Sequence, residues 1–194
     1  MSDLHSTKMK LNLFWEGIGN NGIKHCDETH EHKTIRFTNY VSFVGILIIA
    51  LYALISLIQF GIKYLNLFII ECAFCLILYG LFYLNSIGLF LYSRVIGMLM
   101  SIVFVSLLNI TSGNILGGAY TLLVTAVLPM ILFKNRFWYS LFYLIHMFAF
   151  FAVYYYYQHY EPIAKISKED TQITYITAAI VMFVLLYFLM EQQV

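Results

Sequence analysis

The sequence predicts an all-α, polytopic membrane protein: a bundle of six transmembrane helices preceded by a short amphipathic helix. Three observations lead there. The chain is 61% hydrophobic but only 11% charged, against about a quarter charged residues in a soluble domain, which leaves too little charge for a water-facing surface. The mean hydropathy is +0.80. The few charges also fall at intervals, separating apolar runs long enough to cross a bilayer. A membrane barrel would instead alternate apolar and polar residues in short segments.

The spans follow from these intervals. Residues 37–62 carry no charge and predict span 1 at 38–60. Residues 64–93 carry only Glu71, and residues 95–133 carry none. The second stretch is roughly twice the ~20 residues that one crossing needs. Breaks at Asn85-Ser-Ile-Gly88 and Asn109-Ile-Thr-Ser-Gly-Asn114 predict spans at 65–84, 89–109 and 115–133. Span 5 is expected at 137–158 and span 6 at 172–190. Residues 1–36 then form a polar head with no signal-peptide core, so the first apolar segment is expected to remain as a helix. At and just before the start of span 4, Gly113, Gly117 and Gly118, with Pro129 near its inner end, predict a short, closely packed and kinked helix.

Orientation comes from lysine and arginine. An N-terminus inside the cell leaves Lys8, Lys10, Lys24, Lys33, Arg36, Lys134 and Arg136 cytoplasmic, with Arg94 near the same face, and only Lys63, Lys165 and Lys168 outside. The positive-inside rule therefore predicts both termini in the cytoplasm. The basic residues are scattered, so nucleic acid is not an expected partner; the lipid bilayer is.

In the head, Leu11, Phe14, Trp15 and Ile18 recur at helical spacing. They predict an amphipathic helix on the inner membrane face with Trp15 at headgroup depth, the alternative being a helix docked on a partner or on the bundle. His25-Cys-Asp-Glu-Thr-His30-Glu-His32 contains metal-competent side chains, but in no standard zinc spacing. It reads as a solvated linker, and no metal or other cofactor is expected.

Ionisable groups within spans are costly and mark functional candidates. Arg94, near the inner face, lies too far from Glu71 to pair with it and is expected to reach inner headgroups or to cap the bundle floor. Asn85 joins it as a structural polar residue. Glu71 has two readings: a ligand or proton site, or a polar link to hydroxyls at its depth. Those hydroxyls are Tyr52, Ser106, Tyr120, Thr121, Thr174, Tyr175 and Thr177. As a link, Glu71→Leu would destabilise the bundle. His146, near mid-bilayer, reads as an imidazole bonded to a neighbour or as a ligand. Tyr154 opens a run of four tyrosines, some of which must face inward and so offer a small aromatic-lined outer pocket. The ligand-binding candidates are thus Glu71, Tyr120, Thr121, His146, Tyr154 and Tyr175. Cys72 and Cys75 read as small packing residues, since Cys26 supplies no second pair for redox shuttling.

Several short patterns recur in order along the chain: Phe14-Trp15…Gly19, Lys33-x-Ile35-Arg36-x-x-Asn39, Leu84-Asn85-x-x-Gly88, Arg94, Gly113-x-x-x-Gly117 and Pro129-x-x-x-Phe133. Together they resemble the six-helix N-terminal membrane module of bacterial sensor histidine kinases and related cyclases, of the sort common in Bacteroidetes. The resemblance implies a signal-input module in the bacterial inner membrane, acting as a homodimer and responding to a small-molecule or lipid ligand. It implies that span 6 passes a conformational change to a cytoplasmic kinase or cyclase beyond Val194. No catalytic motif lies within the chain, so enzymatic activity is not expected of it. The competing expectation is a small transporter or channel subunit with polar stations at Glu71 and His146.

Overall fold

A computed structural model describes residue 10 and residues 13–60, 65–112, 122–123 and 125–161. The expected span 6, the first part of span 4, and the candidates Tyr120, Thr121 and Tyr175 lie outside the described residues. So do Gly113, Gly117, Gly118, Thr174 and Thr177, and the side chain of Tyr52. Among the described residues there is no strand. A head helix at residues 13–19 leads through a 3-10 turn, Ile23–His25, to α1 (Thr29–Phe60). Then follow α2 (Leu65–Ser86), α3 (Phe90–Ser112), the short α4 (Leu128–Leu132) and α5 (Arg136–His159). Among the described residues, four stretches are long and apolar enough to cross a membrane: Glu31–Leu51, Leu65–Ser86, Phe90–Thr111 and Arg136–His159.

The helices differ from their expected limits in ways the side chains explain. α1 begins at Thr29 rather than near Thr38. Its polar first turns are supported by His32 Nε2 at 2.9 Å from Cys26 O and by an ion pair between Glu31 and Arg94. α3 runs through Asn109 and Thr111 to Ser112 instead of stopping at the polar break. Asn109 Nδ2 donates to Val105 O at 2.7 Å, and Thr111 Oγ1 donates to Leu107 O at 2.7 Å. Both side chains thereby satisfy themselves on their own helix and need no loop. In span 4, a turn at residues 126–127 precedes α4, whose first turn holds Pro129, where a missing N–H costs nothing.

Short connections make neighbours antiparallel. α2 ends in a Schellman motif: Leu89 N–H donates to Leu84 O at 2.9 Å and Gly88 N–H to Asn85 O at 3.1 Å. Gly88 takes φ 83°, a left-handed backbone that suits glycine. α5 starts with Asn135 as N-cap, its side chain accepting from Phe137 N–H at 2.8 Å.

α1 packs on α2, α2 on α3, and α3 on α5, with α4 lying against α5 and touching α1. Two apolar clusters result. Phe74, Leu78 and Leu81 of α2 meet Ile46 and Ile49 of α1 and Phe104 of α3. The Phe74 and Phe104 rings stack at 3.9 Å. The larger cluster joins Phe37, Met98, Ile102, Leu132, Phe133, Phe142 and Val153. The opposite faces are apolar too: Leu47, Leu51, Leu54 and Ile58 of α1, Leu76 and Tyr79 of α2, and Leu144, Phe148 and Phe151 of α5 are exposed. Continuous apolar exposure of this extent suits lipid rather than water.

Two glycines of the α2–α3 hairpin separate backbone need from tolerance. Gly80, inside α2, has open space where a Cβ would sit, whereas a Cβ on Gly88 would lie 3.0 Å from His25 Cβ at positive φ. Gly80→Ala is expected to stabilise by up to about 1 kcal/mol, and Gly88→Ala to destabilise by about 1–2 kcal/mol or more. Thermal melts of the two variants in detergent check this; equal melting temperatures would refute the turn assignment.

Candidate functional site

The most densely bonded polar region lies where the head meets the adjacent ends of α1, α2 and α3. The head helix docks through Ile18, which is buried, and Trp15, which packs at 6.1 Å on Tyr40 and 5.9 Å on Phe43 of α1. The chain then runs close under the bundle. A Cβ on Gly19 would meet the Tyr40 hydroxyl at 2.4 Å, and one on Gly22 (φ 84°) would meet Asn85 O at 1.9 Å. Glycine at both positions allows that approach.

Asn39 holds this junction. Its Nδ2 donates to Gly19 O at 3.0 Å and to Asn21 O at 2.8 Å, and its Oδ1 accepts from Asn85 Nδ2 at 2.7 Å. A fully buried amide is thus used at both donors and at its acceptor. Asn21 Nδ2 donates to Phe82 O at 3.0 Å, tying the head to α2 a second time. Arg36 Nε donates to Asn20 Oδ1 at 2.9 Å. Ser93 Oγ donates to Leu81 O at 3.1 Å, closing the α2–α3 hairpin.

Arg94 is buried in the same region. It pairs with Glu31 of α1 and donates from Nη1 to Leu132 O of α4 at 3.4 Å. It therefore caps the floor of the bundle. A partly buried ion pair with further hydrogen bonds resists loss of one partner, because the remaining charge is stranded.

Glu71 and His146 are different. Both are fully buried, at 1% and 0% exposure. Among the described residues neither Glu71 carboxyl oxygen has a hydrogen-bond partner, so the link to Ser106 is not made; the other expected hydroxyls lie outside the described residues. His146 Nδ1 sits 2.7 Å from Phe142 O on its own helix, and Nε2 has no partner. The two residues do not form one site. The Phe74–Phe104 stack puts Glu71 level with about Leu107 of α3. The bond from Tyr157 Oη to Asn109 Oδ1, at 3.0 Å, puts His146 level with about Met98. At 1.5 Å per residue those levels differ by about 13 Å.

Tyr154 is exposed and stacks on Phe150 of its own helix at 6.4 Å. Tyr157 is the residue of that run shown bonding into the bundle. Cys72 and Cys75 are free thiols, and Cys75 Sγ lies 3.8 Å from Ile46 O. No group of three potential metal ligands gathers among the described residues.

Sequence reasoning placed Asn85 and Arg94 as structural residues and quoted Asn39 only within a pattern. Glu31 and Asn21 were missed. The available signal for Glu31 was a carboxylate two turns ahead of the apolar run, on the side to which Arg94 had been assigned. No protein-family model, curated protein or solved structure matches the chain.

The two kinds of buried polar group predict opposite mutational signs. Asn85→Leu strands Asn39 Oδ1 and is expected to cost about 1–3 kcal/mol. Glu71→Leu strands no partner among the described residues and removes an unsatisfied carboxyl, so the melting temperature is expected to rise rather than fall. A Glu71→Leu variant less stable than wild type in detergent would refute the unpartnered geometry.

Proposed function

We propose that the chain is the membrane-embedded signal-input module of a bacterial signalling protein. In this reading six spans follow an amphipathic head in the inner membrane, both termini are cytoplasmic, and two copies act together. Span 6, at 172–190, passes a shift to a kinase or cyclase output. The observation that carries the reading is the meeting of Trp15, Gly19, Arg36, Asn39, Asn85, Gly88 and Arg94 around one junction, although they are spread over some eighty residues of sequence. These are residues on which the resemblance to sensor-kinase membrane modules rests. Signal input needs an element with two arrangements that a stimulus can bias. A junction built from a few directional bonds and one ion pair, joining four helices and the head, offers a stimulus few bonds to exchange.

A second reading is favoured by one observation. Glu71 and the Nε2 of His146 are buried without partners, as stations for a transported ion or solute would be. Their separation in depth fits successive stations better than one binding site.

Two measurements decide. Fusing a leucine zipper and kinase output after Val194 in one-residue increments is expected to give activity oscillating with a period near about 3.5 residues. Cysteine probes at Asn66 are expected to label from outside intact cells, while probes at Ser6 and after Val194 are spared. Flat output across a heptad with ion flux in reconstituted vesicles would replace signal input by transport. External labelling after Val194 would remove the receptor reading.

A further inference from the structure

The head helix and α1 share a seam whose chemistry changes in order along α1. Lys33, Arg36, Tyr40, Phe43, Leu47, Leu51, Leu54 and Ile58 recur at spacings of three and four, and so lie on one face. Lys33 and Arg36 are exposed, and the stripe from Leu47 to Ile58 is exposed and aliphatic. Tyr40 to Ile58 covers about 27 Å at 1.5 Å per residue, close to the ~30 Å hydrocarbon thickness. Arg36 then falls about 6 Å beyond the apolar layer, and Lys33 about 10 Å beyond it, in the headgroup zone.

The head extends this stripe sideways. Phe14 meets Phe43 edge-on at 5.9 Å, and Trp15 covers Tyr40 and Phe43. Leu13 and Phe14 remain 62% and 53% exposed, beside the lipid-facing surface of α1. Two features shape the charge at the foot of the seam. Glu31, the nearest carboxylate of α1, is taken up by Arg94. Arg36 is held in place through Nε by Asn20, which sets its guanidinium at the head–α1 boundary.

From these placements we infer that the seam is a binding site for an anionic phospholipid of the head-side leaflet. Its phosphate lies against Lys33 and Arg36, and its acyl chains run over Phe14, Phe43 and Leu47. Positive charge below an aromatic band and an aliphatic stripe matches such a lipid from headgroup to chain. The occupant is lipid because the surface is continuous with the lipid-facing side of a spanning helix. The preference for an anion comes from the two basic residues. The inference rests on the membrane-spanning architecture and on the head's docking, and is independent of whether the chain signals.

The test uses the full chain carrying Trp138→Phe, which leaves Trp15 as the single tryptophan. It is reconstituted in phosphatidylcholine vesicles containing either brominated phosphatidylcholine or brominated phosphatidylglycerol at the same mole fraction. Trp15 fluorescence is expected to be quenched by both, with a preference for the anionic lipid of about fivefold in apparent affinity per basic residue engaged. Arg36→Lys should keep the preference, and Lys33→Gln with Arg36→Gln should abolish it. Equal quenching by the two lipids in the parent chain would overturn the anionic site. Quenching by neither would overturn the seam as a lipid surface. Because Trp138 stacks on Phe133 and Phe142, native mass spectrometry of the chain with both tryptophans gives an independent reading. Phosphatidylglycerol should remain bound to the parent chain and be lost from the Lys33→Gln/Arg36→Gln variant; equal retention would refute the assignment.

Discussion

The amide of Asn39 is the constraint around which the described structure is organised. A side chain with two donors and an acceptor, buried at the end of a spanning helix, has no water to fall back on. Its three bonds reach Gly19, Asn21 and Asn85, so the head and α2 must both come to it. Much else follows from that demand. The chain must pass close beneath the bundle, which puts glycine at positions 19 and 22. The donating amide of Asn85 must stay near, and the Schellman turn at Gly88 fixes the helix end that carries it. In an environment where apolar contact alone discriminates poorly between helix neighbours, a satisfied amide pair selects one arrangement.

Arg94 adds a different bond to the same floor. Asn39 works through short neutral hydrogen bonds, whereas Arg94 brings charge to Glu31 and to the carbonyl end of α4. The buried polar bonds of Asn39, Asn85 and Arg94 thus gather at the floor, while the body of the bundle above it is held by ring stacking and aliphatic packing. This division places specificity at one end of the molecule. Glu71 and His146 stand outside it, buried with atoms that have no hydrogen-bond partner among the described residues.

How much of this was legible in the sequence depended on whether the signal was local. Apolar runs bounded by charges located α2 and α5 closely, because bilayer thickness sets span length directly. Polar residues misled at Asn109 and Thr111, which were read as a break although each bonds its own helix one turn back. The start of α1 was placed too late for a related reason: its first turns are polar, and their support comes from Arg94, far along the chain. For the site, composition flagged Glu71, His146 and Arg94 because charge in a span is conspicuous. The partners were not legible. The position of Glu31 ahead of the apolar run hints only at the side it shares with Arg94, and an asparagine at position 39 reads as an ordinary boundary residue until the packing supplies Asn85 and the head carbonyls. Hydroxyl partners for Glu71 rested on equal depth alone, and all of them but Ser106 lie outside the described residues.

The bonds of Asn39 also differ in when their partners exist. A chain emerging from the ribosome presents Gly19 and Asn21 before Asn39, and Asn85 well after it. Both donors of the amide thus have acceptors already synthesised, whereas its oxygen has none until α2 is complete. Head and first helix can close against each other early, and the second helix is then received by a surface already shaped for it. The order of synthesis and the order of bonding run the same way, so the last polar demand of the first helix is met by the arrival of the end of the second.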